Sequence, residues 1–121
     1  MTSCLIIDSS PVARMVARKI LEGLGFEVDE AGDGRGGLDA CRRRMPGAVL
    51  VDGDAPTLAG PEFLCQLRRL PGGAEAKVLL CSTATEPDPI RRALEAGADE
   101  YVMKPFAGDI LQSKLALLGL P

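Results

Sequence analysis

The chain of 121 residues contains no histidine, and its four cysteines show no C-x-x-C spacing. Protein zinc sites are built mainly from histidine and closely spaced cysteine, so these absences argue against a zinc site. We therefore expect reduced, mostly buried thiols at Cys4, Cys41, Cys65 and Cys81.

Long apolar runs are also missing. No run approaches the ~20 apolar residues that cross a bilayer, and no basic segment followed by a long apolar stretch opens the chain. The net charge of −3 argues against non-specific binding to nucleic acid. These absences predict a cytoplasmic protein with neither a membrane nor a nucleic acid as its partner.

Four short apolar runs each end on one reactive side chain. The runs 5–7, 49–51, 78–81 and 101–103 are followed by Asp8, Asp52, Ser82 and Lys104. Apolar runs that do not alternate are typical of strands buried on both faces, as in parallel sheets between helices. Ligands of such sheets bind outside the carboxyl ends of the strands. We therefore expect one site, in which two carboxylates, a hydroxyl and an ammonium handle a metal and a phosphoryl group.

Helix signals separate these strands. Ser10 as N-cap and Pro11 as first helical residue predict a helix that ends at Gly25. Asp88 and Pro89 show the same pattern and predict a helix that ends at Gly97. A weaker strand is predicted over 27–31, with helices over 37–44 and around 63–67. The apolar positions expected on helix faces include Val12, Val16, Ile20, Ile90, Ala93, Leu94, Ile110, Leu111, Leu115 and Leu118. Five repeats of strand then helix predict a three-layer α/β sandwich.

The residues at the strand ends resemble a known family, the receiver domains of two-component response regulators, and most closely the stand-alone chemotaxis-type receivers. The resemblance covers essentially the whole chain and rests on the segments IID, DGDAPTLAG, VLLCS, AGADEY and KPF, in that order. It implies a flavodoxin-like fold with five parallel strands in order 2-1-3-4-5 and five helices. Because the chain ends soon after the last predicted helix, we expect a single receiver domain over 1–121 without an effector domain.

The resemblance also implies roles for the strand-end residues. Asp52 would be the phosphoacceptor, Mg²⁺ would be the cofactor, and the bond between Lys104 and Pro105 would be cis. The metal would be held by Asp8, by Asp52 and by the backbone carbonyl or side chain of Asp54, since Mg²⁺ prefers oxygen ligands. Ser82 and Lys104 would contact the phosphoryl group, and Tyr101 would follow the movement of Ser82 as part of a switch.

The phosphoryl donor has to come from outside, because the chain has no histidine. A histidine kinase, a histidine phosphotransferase or a small acyl phosphate would serve. We expect no enzyme activity beyond self-phosphorylation from acyl phosphates and self-dephosphorylation. The signal would pass by protein contact, to a target that the sequence does not identify, through the face formed by helix 4, strand 5 and helix 5. The expected contact residues are Arg91, Arg92, Glu95, Tyr101 and Lys114.

One departure from the family pattern concerns the metal. The family usually places two adjacent acids after the first strand, whereas Asp8 is followed here by Ser9. A hydroxyl is a poorer Mg²⁺ ligand than a carboxylate, so weak metal binding is expected. Asp54 could compensate, or its charge could repel the phosphoryl group. The main alternative is therefore a degenerate receiver that works as an interaction module without phosphorylation.

Two other classes fit parts of the sequence. Gly32, Gly34 and Gly37 spell G-x-G-x-x-G, as in dinucleotide sites, but they follow the second strand, which would lie at the sheet edge. We interpret these glycines as turn residues. Asp52 and Asp54 resemble the D-x-D motif of haloacid-dehalogenase-like phosphatases, as nucleophile and general acid, but Ala55-Pro56 departs from that motif.

Overall fold

The computed structural model describes residues 2–83 and 87–120 as alternating strands and helices. The strands are β1 (Ser3–Ile7), β2 (Glu27–Ala31), β3 (Ala48–Asp52), β4 (Lys77–Ser82) and β5 (Glu100–Met103). The helices are α1 (Pro11–Gly23), α2 (Gly34–Arg43), α3 (Gly60–Arg69), α4 (Pro87–Glu95) and α5 (Gly108–Leu117). The predicted order of elements is confirmed.

All strands are parallel, in the order β2-β1-β3-β4-β5. The predicted flavodoxin-like sandwich is therefore confirmed. One core packs on each face of the sheet. Phe63, Leu64 and Leu67 of α3 belong to the first core, and Leu21, Leu111 and Leu115 of α1 and α5 belong to the second. Within the described residues, no helix is both long and apolar enough to span a membrane.

Some apolar positions predicted on inward helix faces are exposed, whereas Ala93 of α4 and Leu111 and Leu115 of α5 are buried as predicted. In α1 the buried residues are Ala17 and Leu21, whereas Val12 is 65% exposed and Val16 is 47% exposed. Leu94 of α4 and Ile110 of α5 are also exposed. The buried face of α1 therefore carries Ala17 and Leu21, and the predicted stripe of Val12 and Val16 was the wrong guide to it.

Helix α2 begins at Gly34, three residues before the predicted start at 37. The side chain of Asp33 accepts a hydrogen bond from the amide of Gly36 at 2.6 Å and thereby caps the helix. A Cβ at Gly34 would lie 2.0 Å from the main-chain oxygen of Leu58, and one at Gly37 would lie 2.3 Å from Cδ1 of Ile7. The interpretation of these two glycines as turn residues was wrong, because both are helix residues at close contacts.

Helix α4 also starts earlier than predicted. It begins at Pro87, so Asp88 lies in its first turn and is not the cap. The residue before Pro87 lies outside the described part of the chain. The thiols agree with prediction: all four cysteines are free, and all except Cys65 are buried. Burial raises the pKa of Cys4 to about 12 and that of Cys41 to about 11, so these two thiols stay protonated at neutral pH.

Candidate functional site

The ends of β1 and β3 bring two carboxylates side by side. Ile7 pairs in register with Val51, so Asp8 and Asp52 occupy equivalent positions on neighbouring strands. The side chain of Asp8 is 9% exposed, and that of Asp52 is 16% exposed. Both acids therefore lie in a largely buried setting at the carboxyl edge of the sheet.

Lys104 joins the two acids from the end of β5. Its Nζ lies 2.5 Å from Oδ2 of Asp8 and 3.5 Å from Oδ2 of Asp52. Burial opposes the charge on this lysine, but the hydrogen bond to Asp8 and the charge of Asp52 outweigh it, so the pKa of Lys104 is raised. The ammonium is thus held in its charged form between the carboxylates. The peptide bond that follows, Lys104 to Pro105, is cis.

Main-chain amides fix the orientation of both carboxylates. The amide of Ser10 donates to Oδ1 of Asp8 at 2.9 Å, and the amide of Asp54 donates to Oδ1 of Asp52 at 3.0 Å. In each acid, the other oxygen faces Lys104. Ser10 has a second function, because its hydroxyl accepts a hydrogen bond from the amide of Ala13 and caps α1, as predicted.

The loop after Asp52 is held against neighbouring elements. The amide of Gly53 donates to the main-chain oxygen of Cys81 at 2.7 Å, and the oxygen of Gly53 accepts from the amide of Gly60 at 3.1 Å. Thr57 has φ of 66°, a strained conformation for a β-branched residue, and its hydroxyl accepts from the amide of Arg35 at 3.1 Å. These bonds fix the loop that carries Asp54.

Two residues predicted near the metal are exposed. The side chain of Asp54 lies at the surface, as does Ser9. No group of three or more carboxylate, thiol or imidazole side chains that could hold a metal occurs within residues 2–83 and 87–120. A cation at this edge would therefore need backbone and water oxygens in addition to Asp8 and Asp52.

Ser82, the last residue of β4, and Tyr101 of β5 lie next to α4. Together with Asp54 and Arg92, they line a cavity of about 310 Å³ between the sheet and α4. The main-chain oxygen of Ser82 accepts a hydrogen bond from the amide of Lys104 at 2.9 Å. Tyr101 is only 7% exposed. It is therefore buried in this conformation, which differs from the expected surface contact.

Two other residues expected on the output face, Arg91 and Glu95, have side chains that are about two-thirds exposed. Nε of Arg91 lies 3.8 Å from Oε1 of Glu95. Arg92 is also exposed. Lys114 is partly covered and forms an ion pair with Glu100 at 3.0 Å.

Sequence reasoning missed one residue that supports the site. Arg14 of α1 donates from Nη1 to the main-chain oxygen of Asp8 at 2.6 Å and from Nε to Glu30 at 3.0 Å. The sequence offered only a weak signal, an arginine on the first turns of the helix that follows the acid. The direction in which the Arg14 side chain points depends on its rotamer, which the periodicity of the sequence does not specify.

A parallel sheet with two carboxylates and a lysine at its carboxyl edge is the arrangement of receiver-class signalling domains. The family model of the response regulator receiver domain matches residues 4–116, and the chain belongs to this family. Receiver domains act in two-component signalling, take phosphoryl groups from histidine kinases and are not classical enzymes.

The chain is similar to the transcriptional regulatory protein KdpE of Mycobacterium tuberculosis, with 36% identity over 115 residues. These residues cover 95% of this chain and 50% of that regulator. The chain spans about half the length of the curated transcriptional regulators it matches. It spans 13% of the length of the gliding motility regulatory protein of Myxococcus xanthus.

Solved structures agree on the fold. The chemotaxis protein CheY4 of Vibrio cholerae has a TM-score of 0.92 and 26% identity, and the similarity covers 98% of both chains. The receiver domain of the sensor histidine kinase PA1611 from Pseudomonas aeruginosa has a TM-score of 0.88 and 24% identity, with 98% of both chains covered. The second likeness shows the fold alone.

Proposed function

We propose that this domain accepts a phosphoryl group on Asp52 and passes the signal on by protein contact. The observation that carries the proposal is the placement of Lys104 within 3.5 Å of Oδ2 of Asp52, beside a second carboxylate. Asp52 is the more exposed of the two acids, so an incoming phosphoryl group reaches it first. The ammonium supports the negative charge that develops on the transferred oxygens.

The reaction would form an acyl phosphate. A carboxylate oxygen of Asp52 forms a bond to phosphorus while the bond from phosphorus to the donor breaks. A phosphohistidine donor leaves as imidazole, whose nitrogen takes a proton from water, and an acyl phosphate donor leaves as a carboxylate. The chain has no histidine, so the donor is a histidine kinase, a histidine phosphotransferase or a small acyl phosphate. Since both oxygens of Asp52 have fixed neighbours, the carboxylate is oriented before the donor arrives.

The donor set at this edge fits Mg²⁺. Asp8 and Asp52 would hold the ion together with the main-chain oxygen of Asp54 and several waters. The oxygen of Gly53 is less suitable, since it already accepts a hydrogen bond from Gly60. When bound, Mg²⁺ would neutralise charge on the transferred oxygens. Receiver domains, the family to which this chain belongs, bind Mg²⁺ in the active site cleft, which supports this cofactor here.

Ser9 favours a second candidate, a receiver that works without phosphorylation. Ser9 is exposed and neutral, and Lys104 already neutralises Asp8. Both features would weaken the metal site. In this reading the same fold serves as an interaction module.

Output would use the face formed by α4, β5 and α5. Arg91, Arg92 and Glu95 are exposed there, so a protein partner could reach them. Tyr101 would contribute by moving between a buried and an outward position as Ser82 shifts toward the phosphoryl group. A partner that prefers one of these states would be controlled by the population shift.

The test is incubation with acetyl phosphate and Mg²⁺, followed by measurement of the intact mass. We expect one added phosphoryl group on the unmodified protein and none on the Asp52→Asn variant. Asp54→Asn is the matched control, because it removes a neighbouring carboxylate and leaves the acceptor in place. Labelling of Asp52→Asn at another residue would contradict the assignment. No labelling of the unmodified protein would favour the interaction module, and turnover of a generic phosphate monoester would favour a phosphatase.

A further inference from the structure

Thr57, in the loop between β3 and α3, has φ of 66° and therefore a left-handed backbone conformation. A β-branched residue rarely adopts this conformation, because the substituents on its Cβ crowd the backbone. Strain of this kind persists only where the surrounding structure holds it. Glycine would adopt the same conformation without strain, so a contact of the threonine side chain has to explain its presence here.

The side chain of Thr57 caps helix α2. The first amides of a helix have no hydrogen-bond partner inside that helix. In α2 the amide of Arg35 donates to Oγ1 of Thr57 at 3.1 Å, and the amide of Gly34 donates to the main-chain oxygen of Pro56 at 2.9 Å. The lack of a Cβ at Gly34 permits this approach, since a Cβ would collide with the main-chain oxygen of Leu58. The loop is therefore joined to the first turn of α2.

The same loop is tied to the acidic site at its other end. The amide of Asp54 donates to Oδ1 of Asp52 at 3.0 Å, and the amide of Ala55 donates to the main-chain oxygen of Asp52 at 3.1 Å. Ala55 is buried, and the ring of Pro56 fixes its own φ. Because little backbone freedom is left between Asp54 and Thr57, the position of the main-chain oxygen of Asp54 depends on the conformation at Thr57.

We propose that Thr57 is a positioning residue for the Mg²⁺ site. Its hydroxyl holds the strained loop against α2, and the loop then presents the main-chain oxygen of Asp54 to a cation between Asp8 and Asp52. This role of Thr57 rests on the proposed function, which assigns that oxygen to the metal. The oxygen matters more in this chain because Ser9, next to Asp8, adds no carboxylate to the site.

The experiment is a calorimetric titration of the full chain with MgCl₂. Thr57→Val keeps the β-branched shape but removes the acceptor, so Mg²⁺ should bind about tenfold more weakly, as for other groups that orient a metal ligand. Thr57→Ser keeps the hydroxyl and should bind Mg²⁺ as the unmodified chain does. Thr2→Val is the matched control, because it makes the same chemical change before β1, at the opposite edge of the sheet, and should leave the Kd unchanged.

Stability separates positioning from a purely structural role. Urea denaturation without Mg²⁺ reports the loss of the cap on α2. Lower stability of Thr57→Val with an unchanged Kd for Mg²⁺ would overturn the proposal, as would equal weakening of Mg²⁺ binding in Thr57→Ser and Thr57→Val. If Thr57→Val does not fold, Thr57→Gly decides: glycine relieves the strain but lacks the hydroxyl, so Mg²⁺ should still bind about tenfold more weakly. A Kd for Thr57→Gly equal to that of the unmodified chain, or tighter, would overturn the proposal.

The titration needs no phosphoryl donor, so it is independent of the test of phosphoryl transfer. A chain that binds Mg²⁺ but gains no mass from acetyl phosphate would contradict the proposed function, and the Kd values would still decide the role of Thr57. Absence of Mg²⁺ binding by the unmodified chain would overturn that role.

Discussion

Arg14 donates a hydrogen bond from its guanidinium to the main-chain oxygen of Asp8, over 2.6 Å. The same guanidinium contacts Glu30 on the edge strand β2. Glu30 in turn accepts a hydrogen bond from Arg18 at 2.6 Å, and this bond is the largest reason why the pKa of Glu30 is lowered. The segment that carries the buried acid is thus held to both α1 and β2.

Arg14→Met should weaken Mg²⁺ binding by about tenfold, because partners that orient metal ligands typically contribute factors of 10–100. Isothermal calorimetry of Mg²⁺ binding measures the change. Arg18→Met is the matched control, since Arg18 pairs with Glu30 and Glu22 but makes no hydrogen bond to Asp8. An equal loss of Mg²⁺ affinity in both variants would show that the contact with Asp8 has no special role.

Ser9→Asp should tighten Mg²⁺ binding by about tenfold and speed phosphorylation from acetyl phosphate, because it would add a charged oxygen ligand to the proposed metal site. Calorimetry and the rate of mass increase are the two measurements. Ser113→Asp adds the same charge at an exposed position on α5 and should change neither. Equal or weaker affinity in Ser9→Asp would mean that Asp54 already serves as the second acid.

Arg68 connects three segments through its guanidinium. It donates to the main-chain oxygens of Gly73, Ala76 and Gly97 at 2.6–2.7 Å and to the carboxylate of Asp99 at 2.9 Å. Arg68→Ala should lower the free energy of unfolding by about 2–4 kcal/mol, since several charged hydrogen bonds are lost and carbonyls are left without a donor. Urea denaturation measures this. The exposed Arg69→Ala is the control, with an expected change within ~0.5 kcal/mol.

Gly34→Ala should destabilise the domain by about 3 kcal/mol or more, because the new Cβ would lie 2.0 Å from the main-chain oxygen of Leu58. Gly23→Ala is the matched control. A Cβ at Gly23 meets nothing within 4 Å, so alanine at this helical position should stabilise by about 0.5–1 kcal/mol. Thermal and urea unfolding distinguish the two. Similar effects of the two substitutions would contradict the close contact at Gly34.

The sequence predicted the strands and the convergence of Asp8, Asp52 and Lys104 because both follow from simple rules. Buried parallel strands are continuous apolar runs, and residues after parallel strands meet at one edge. The start of α2 was missed for a different reason. Glycine has a low helix propensity, and the contact of Gly34 with Leu58 joins residues far apart in the chain.

Other features of the site depend on side-chain direction. The reach of Arg14 toward Asp8 and the burial of Tyr101 are set by rotamers and by packing with neighbouring elements. The exposure of Val12 also depends on packing, because α1 turns the face that carries Ala17 toward the core and leaves Val12 at the surface. Periodicity assigns residues to faces of a helix but does not decide which face is buried when both carry apolar residues.

The ion pair between Asp8 and Lys104 joins residues that are 96 positions apart in the chain. A growing polypeptide therefore carries both acids long before it carries their lysine, and the site is complete only when β5 is in place. Strand β5 has only four residues and pairs with one neighbour, so it can open locally while the centre of the sheet stays closed. We expect competence for phosphoryl transfer to follow the closing of this strand, as its amide exchange rates would report, rather than the global stability of the domain.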